Sequence, residues 1–159
     1  MAPPMLRILL LPVALLAALP AYGQVEAPVQ LDAQLNNLVQ LLAGGRAVEF
    51  RSARRYHFLD VNADGVPDAA AFFTLETLGQ ASQASVWFAL LLAEPFPQSG
   101  QRLRPPAFRL VDFIRVAPNG AGRVNVDALA YDKGAFGIDT DKGKIVLRLQ
   151  GGRLLEAKP

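Results

Sequence analysis

The chain has 159 residues, a formal net charge of +2, no cysteine and a single histidine. Without cysteine there is no disulfide, no thiol nucleophile and no thiolate metal site, and one histidine excludes zinc sites that need several imidazoles. So small a net charge gives no reason to expect a nucleic-acid partner.

The N-terminus has the pattern of a processing signal. Arg7 supplies a short positive region, Ile8 to Leu19 an apolar run, and Ala21-Tyr22-Gly23 small residues at the minus-three and minus-one positions of a cleavage site. Cleavage is expected between Gly23 and Gln24. The apolar run is shorter than the roughly 20 residues of a comfortable membrane span, so no stable anchor is expected after cleavage. No cysteine follows it, which excludes a lipid-anchored lipoprotein. The expected location is periplasmic or secreted, in a bacterial envelope. Residues 24–159 then form one domain of about 136 residues, enough to bury a core.

After a flexible lead from Gln24 to Pro28, Leu31, Leu35, Leu38, Val39 and Leu42 recur at helical spacing, with Asp32 placed as an N-cap and Gly44-Gly45 as the stop. The stripe predicts a helix lying on a sheet. From Val48 the chain reads as strands. Val48 to Leu59 leads into a loop rich in Asp and Asn, and Asp68 to Leu75 leads out. Ser85 to Ala93 is nearly all apolar, as in a central strand covered on both faces; Pro95 and Pro97 stop it, and Gln98 to Pro106 is a long surface connection. Strands over Phe108–Val116 and Arg123–Tyr131 flank the turn Pro118-Asn119-Gly120. The alternation in the second of them predicts a sheet with one wet face. Lys144–Leu149 and Arg153–Glu156 form a last hairpin across Gln150-Gly151-Gly152. A helix followed by consecutive strands predicts an α+β fold, an N-terminal helix on a mainly antiparallel sheet of about six to seven strands.

The segment Asp60-Val-Asn-Ala-Asp-Gly-Val-Pro-Asp68 carries the most specific chemistry. Calcium takes six to eight oxygens, and a loop offering oxygens at positions 1, 3, 5 and 9 with a backbone carbonyl at 7 can wrap one ion. Here those are Asp60, Asn62, Asp64, the Val66 carbonyl and Asp68, with Gly65 for the positive φ of the sharp turn. Magnesium fits less well, because it prefers an octahedral, water-rich shell. The loop is no EF-hand: position 12 is Ala71, and its flanks are strand-like. A further ligand is needed from Glu76, Asp132, Asp139 or Asp141. The plainer reading is an Asx-rich turn between two strands. The expected cofactor is calcium, in a structural role.

Catalytic constellations are weak. His57 alternates with Tyr56 and Phe58 on a strand and reads as structural; no serine lies in a Gly-x-Ser-x-Gly turn. Asp112 stands inside an apolar strand, where Arg109 or Arg115 is the expected partner. Arg46, Arg51, Arg54 and Arg55, with Arg102 and Arg104 further on, form a basic cluster that either faces an anionic partner or is an ordinary solvated face. Trp87 and Phe88 read as core.

The stretch from Tyr56 to Phe73 resembles the Asp-x-Asn-x-Asp-Gly-x-x-Asp loop of integrin-type FG-GAP (VCBS) repeats over fewer than about twenty residues. There is no second copy, so a β-propeller is not implied. Over most of the chain it looks like small exported bacterial proteins of unknown function. These have Tyr-x-Phe-x-Asp-x-Asn-x-Asp-Gly-x-x-Asp-Ala, then an apolar strand and terminal strands like Gly-Lys-Ile-Val-Leu-Arg-Leu. Many of them carry a cysteine-containing loop before the last strands, whereas Ala135 to Lys142 has none. The resemblance implies a calcium-type loop on an α+β domain and no activity. The functional expectation is an exported, non-enzymatic domain that binds a protein or an envelope component. Alternatives are an immunity or inhibitor protein against an envelope toxin or hydrolase, and a small metal- or carboxylate-dependent hydrolase.

Overall fold

In the computed structural model, residues 28–94, 107–117 and 123–157 are described. In chain order the elements are helix α1 (Val29–Ala43), strand β1 (Ala47–Glu49), a 3₁₀ turn (Arg51–Ala53), β2 (Arg55–Leu59), β3 (Asp68–Thr77), β4 (Gln80–Glu94), β5 (Ala107–Ala117), β6 (Ala130–Asp132), β7 (Ala135–Thr140), β8 (Gly143–Gln150) and β9 (Arg153–Glu156). The signal segment and its cleavage site, the residues up to Ala27, the prolines after β4, the connection 98–106 with Arg102 and Arg104, and the turn 118–120 lie outside the described residues.

All strand pairs are antiparallel, and they form two sheets. In the first, β3 pairs with β4 and β4 with β5, while β1 and β2 share the other edge of β3. The second runs β6-β7-β8-β9. The fold is therefore α+β as expected, but its strands divide between two stacked sheets instead of forming one sheet of six or seven.

Side-chain alternation on β3 and β4 separates two cores. Ala69, Ala71, Phe73, Leu75, Ala89 and Leu91 face α1, packing on Leu31, Leu35, Leu38 and Val39. Ala70, Phe72, Phe88 and Leu90 face the second sheet and meet Phe136, Ile138, Leu147 and Leu154. β3 is buried on both faces over its first eight residues, and so reads as a continuous apolar run, as does the centre of β4. Each of the four buried helix side chains stabilises the fold by roughly 1.5–3 kcal/mol on leaving water. Gly44, in the left-handed region at φ 52°, closes the helix, and its amide donates to Gln40 O.

Four expectations are corrected. Asp32 is not an N-cap: the helix begins after Pro28, without a side-chain cap, and Asp32 lies in its first turn. The strand expected over Val48–Leu59 is broken by the 3₁₀ turn, which moves the pairing with β3 from Glu49↔Leu75 to Arg55↔Phe72. That offset is odd, so it reverses which side chains point inward. Ala47 and Glu49 face the helix before the break, and Arg54 and Tyr56 face it afterwards. The strand expected over Arg123–Tyr131 is mostly irregular. It makes one isolated bridge, Val124↔Thr140, and inserts Val124, Val126 and Leu129 into the second core without a continuous ladder. Conversely Ala135–Thr140, with its glycine and polar residues, is a strand at the heart of the second sheet. Gly137 stands there opposite Ala130 of β6. Asp112 pairs with neither Arg109 nor Arg115; its partner belongs to the second sheet, as shown below.

Candidate functional site

The loop joining β2 to β3 holds all five residues expected to bind an ion. Its tip is the turn that Asp, Asn and Gly favour. Asp60 Oδ1 accepts from the Asp64 amide (3.1 Å) and Asp60 Oδ2 from the Gly65 amide (2.9 Å). Asn62 Oδ1 accepts from the same Asp64 amide (3.1 Å), and Asp64 Oδ1 from the Val66 amide (2.8 Å). The Asn62 side-chain amide donates to Asp64 Oδ2 at 2.9 Å. The side chains of positions 1, 3 and 5 therefore turn inward upon one short stretch of backbone, though all three residues are exposed. Gly65 is at φ 82° and Ala63 at φ 59°.

Asp68 is different. It opens β3, it is fully buried, and it reaches inward. Its Oδ1 accepts from the Ala93 amide on β4 and its Oδ2 from the Val61 amide in the loop, both at 2.8 Å. Burial raises its carboxyl above the ordinary range. The Ala93 and Val61 amides offset part of that rise, and the charge of Asp64 adds to it. No cationic side chain forms an ion pair with it among the described residues.

The loop is also tied to both cores. Val66 packs against the helix-side core and Val61 against the sheet-side core. The Val61 carbonyl accepts from the Tyr131 hydroxyl of β6 at 3.1 Å. Neither tie was expected from sequence; the only signal was an apolar residue at each end of an otherwise polar loop.

Among the residues considered as a further ligand, Glu76 is ruled out. It lies eight residues along β3 from Asp68, about 27 Å at strand rise. Asp139 faces Lys144 at 3.5 Å, and Asp132 and Asp141 are exposed. Among the described residues no three acidic or histidine side chains gather as a ready-made metal cluster. Whether the residues present suit an ion rests on the chemistry of the loop's oxygens and on Asp68. Each carboxylate oxygen engaged by an amide keeps a second lone pair, and the donor set is all oxygen, which suits a hard cation.

The arginines divide by environment. The Arg54 side chain is 4% exposed, and it lies under α1. It donates to Glu49 Oε1 (2.7 Å) and Oε2 (2.5 Å), Asp32 Oδ1 (2.7 Å), Asn36 Oδ1 (2.8 Å) and the Tyr56 hydroxyl (3.3 Å). Tyr56 donates to Asp32 at 2.7 Å, and Arg51 reaches Asp32 and Asn36 from outside. Burial would raise the Asp32 carboxyl, but the Tyr56 and Arg54 hydrogen bonds and the two guanidinium charges outweigh it and leave the carboxyl below its usual value. The Tyr56 hydroxyl is raised by burial and by its bond to Asp32. Arg54 is thus an internal strut, buried beneath α1. Arg55 pairs with Asp127 at 2.7 Å.

The remaining candidates are dispersed. His57 Nε2 donates to the Val126 carbonyl at 2.8 Å, and its ring meets Phe72 edge-on at 5.7 Å, which is the structural role expected. Asp112 Oδ2 accepts from the Leu154 amide of β9 at 2.7 Å. A bulge produces this: Leu90 faces Asp112 and Leu91 faces Leu110, leaving Val111 as the extra residue. Val111 and Asp112 consequently point to the same face. Arg109 pairs instead with Glu94, and Arg115 lies over Trp87. Phe88 is fully buried; Trp87 is partly buried and donates through Nε1 to Ser85. His57, Asp68 and Asp112 are each bonded to a different backbone partner and form no acid–base pair. Compared with known proteins, the chain matches no protein family, no curated protein and no solved structure.

Proposed function

We propose that this protein is an exported, non-enzymatic domain whose β2–β3 loop holds one calcium-type ion as a structural element, and that it binds a protein or an envelope component. The ligands are the side chains of Asp60, Asn62, Asp64 and Asp68 and the Val66 carbonyl. Calcium would supply positive charge beside the loop's carboxylates. The chain's own residues orient the oxygens: Gly65 allows the turn, and the amides of Asp64, Gly65 and Val66 hold the carboxylates inward.

The observation that carries this reading is Asp68. Carboxylates are seldom fully buried unless paired or bound to metal. This one has two amide donors, no cationic side chain among the described residues and Asp64 for a neighbour. A cation in the loop would offset the negative charge that Asp64 and Asp68 bring near one another. Export is supported by Arg7, the apolar run Ile8–Leu19 and the Ala21-Tyr22-Gly23 site. The non-enzymatic reading is supported by the dispersal of His57, Asp68 and Asp112. With Arg54 internal, the contact surface falls to exposed apolar side chains. Val48, Phe50 and Leu78 stand along the β1 edge of the first sheet.

The test is thermal unfolding of chelator-treated Gln24–Pro159 with and without millimolar calcium, beside an Asp60→Ala, Asp64→Ala double variant. Extracellular sites have Kd values of about 10⁻⁴–10⁻³ M. Some tens of Kd then stabilise by roughly 2 kcal/mol, a shift of several degrees. A shift in the wild type that is absent from the variant supports the ion site. No shift in either reduces the loop to a turn.

A further inference from the structure

We propose that the β1 edge of the first sheet pairs with the β1 edge of a second copy of this chain, antiparallel and centred on Val48. This rests on the reading of that edge as the contact surface and names the partner it fits.

The ladder fixes which backbone groups are free. The Phe50 amide donates to the Thr74 carbonyl at 2.9 Å, and the Leu78 amide donates to the Arg46 carbonyl at 3.0 Å. Hydrogen-bonded positions alternate along an antiparallel pair, so Arg46, Val48 and Phe50 turn their amides and carbonyls toward β3. Those of Ala47 and Glu49 point away from it, and no described residue bonds to them. The side chains of Arg46, Val48 and Phe50 lie on the face opposite α1, with Leu78 beside Arg46, and all four residues are exposed. Other edges are protected or engaged. β5 carries bulges at Val111 and Val116, which spoil an edge for pairing. β2 is tied to the segment at Val126 and Asp127, and the Leu154 amide of β9 donates to Asp112.

The β1 edge is self-complementary. With Val48 opposite Val48 of the second copy, Ala47 falls opposite Glu49 and Arg46 opposite Phe50. Ala47 and Glu49 are the two residues with outward backbone groups, so each of these pairs exchanges both of its hydrogen bonds. Arg46 and Phe50 then form non-hydrogen-bonded pairs, whose side chains approach most closely, and a guanidinium over an aromatic ring is attracted to it. A two-fold axis makes each contact occur twice. Sliding the register by two residues leaves Ala47 or Glu49 paired only with itself and separates Arg46 from Phe50. The 3₁₀ turn beyond Phe50 and the positive-φ pair Gly44-Gly45 before Arg46 carry the chain off the edge. Pairing therefore stops after β1, and the dimer belongs with weak, reversible interfaces.

The experiment is sedimentation equilibrium on the full chain as the cell processes it, from micromolar to millimolar concentration, together with photo-crosslinking in cells from a reactive side chain placed at Val48. The wild type is expected to pass from monomer to dimer, and the crosslinked band to appear at twice the monomer mass. Phe50→Glu sets a carboxylate opposite Arg46 and is expected to associate at least as well as the wild type. Phe50→Lys sets like charges opposite each other twice, and association is expected to weaken roughly tenfold. Equal losses in the two variants, or a wild type that stays monomeric at millimolar concentration, overturn the proposal. A crosslink to a different protein with no band at the doubled mass also overturns it, yet keeps β1 as a contact surface; no crosslink at all defeats that reading as well. Should the charged variants fail to fold, Ala47→Pro decides. It removes an outward N–H and leaves the β1–β3 bonds in place, so unchanged association overturns the pairing and lost association supports it.

Discussion

Replacing Arg54 by alanine is expected to remove a large share of the stability of this fold. The side chain is 4% exposed, and it is held by Glu49, 9% exposed, and Asp32, 29% exposed. Truncation leaves two carboxylates and Asn36 facing a void that the guanidinium had filled. Removing one partner of a buried ion pair costs about 3–5 kcal/mol. Asp32 can recover some hydration, which favours the lower part of that range. For a domain of this size each kcal/mol lowers Tm by about 3–4 °C, so a drop of roughly 10–15 °C is expected. Urea denaturation at neutral pH, followed by circular dichroism, measures the free energy directly. Arg54→Lys is expected to lie between wild type and alanine, because an ammonium cannot span both oxygens of Glu49. Arg51→Ala, whose side chain is 57% exposed, is expected to cost no more than about 1 kcal/mol. If Arg54→Ala cost no more than Arg51→Ala, the strut would be an ordinary surface pair and the packing argument would fail.

Asp68→Asn turns an amide N–H toward one of two buried backbone donors, leaving that donor without an acceptor; a loss of about 1–3 kcal/mol is expected in chemical denaturation. Gly65→Ala meets no neighbouring atom but must adopt φ 82°, so a loss of roughly 1 kcal/mol from backbone strain alone is expected by the same measurement. Asp32 has a depressed folded-state pKa, so its stabilising contribution is complete above the unfolded value of about 4 and disappears as pH falls through the folded value. Denaturation midpoints should therefore decline below pH ~4 in the wild type and decline less in Asp32→Asn. Tyr56→Phe should raise the Asp32 titration midpoint seen by NMR, since it removes the hydroxyl donor. Asp112→Ala should cost about 1–2 kcal/mol by stranding the Leu154 amide, whereas Asp112→Asn keeps an accepting oxygen and should cost much less.

The parts of the fold legible in the sequence were those set by local periodicity. Leu31, Leu35, Leu38 and Val39 mark one helix face, and all four are buried. The apolar run Ser85–Ala93 lies in a strand covered on both faces, and the hairpin around Gln150-Gly151-Gly152 forms as expected, with Gln150 opposite Arg153. Period-two alternation misled at Arg123–Tyr131. Val124 and Val126 do point inward, but alternation reports which side chains are buried and not whether the backbone finds a ladder. The break after Glu49 left no signal because Arg51-Ser52-Ala53 carries neither glycine nor proline. The break shifts the register by an odd number and brings Arg54 beneath the helix, a contact made with a residue 22 positions away.

The same distinction separates what was visible at the polar sites from what was not. A carboxylate inside Leu-Val-Asp-Phe-Ile, an arginine before a strand and a valine between two loop ligands each state a requirement, because a buried polar group must find a partner. They do not say where that partner is. Asp112 looked nearest to Arg109 and Arg115, and was satisfied 42 residues away by a backbone amide. Arg54 looked like part of a basic surface, and was satisfied 22 residues back by a helix carboxylate. Among the described residues the three longest-range polar side-chain ties, from Tyr131 to Val61, from His57 to Val126 and from Arg55 to Asp127, all join the segment from Val126 to Tyr131 to β2 or its loop. That concentration follows from the topology. β2 is an edge strand that ends in the loop, so its outer polar groups are the ones the first sheet cannot satisfy, and the chain entering the second sheet supplies the partners.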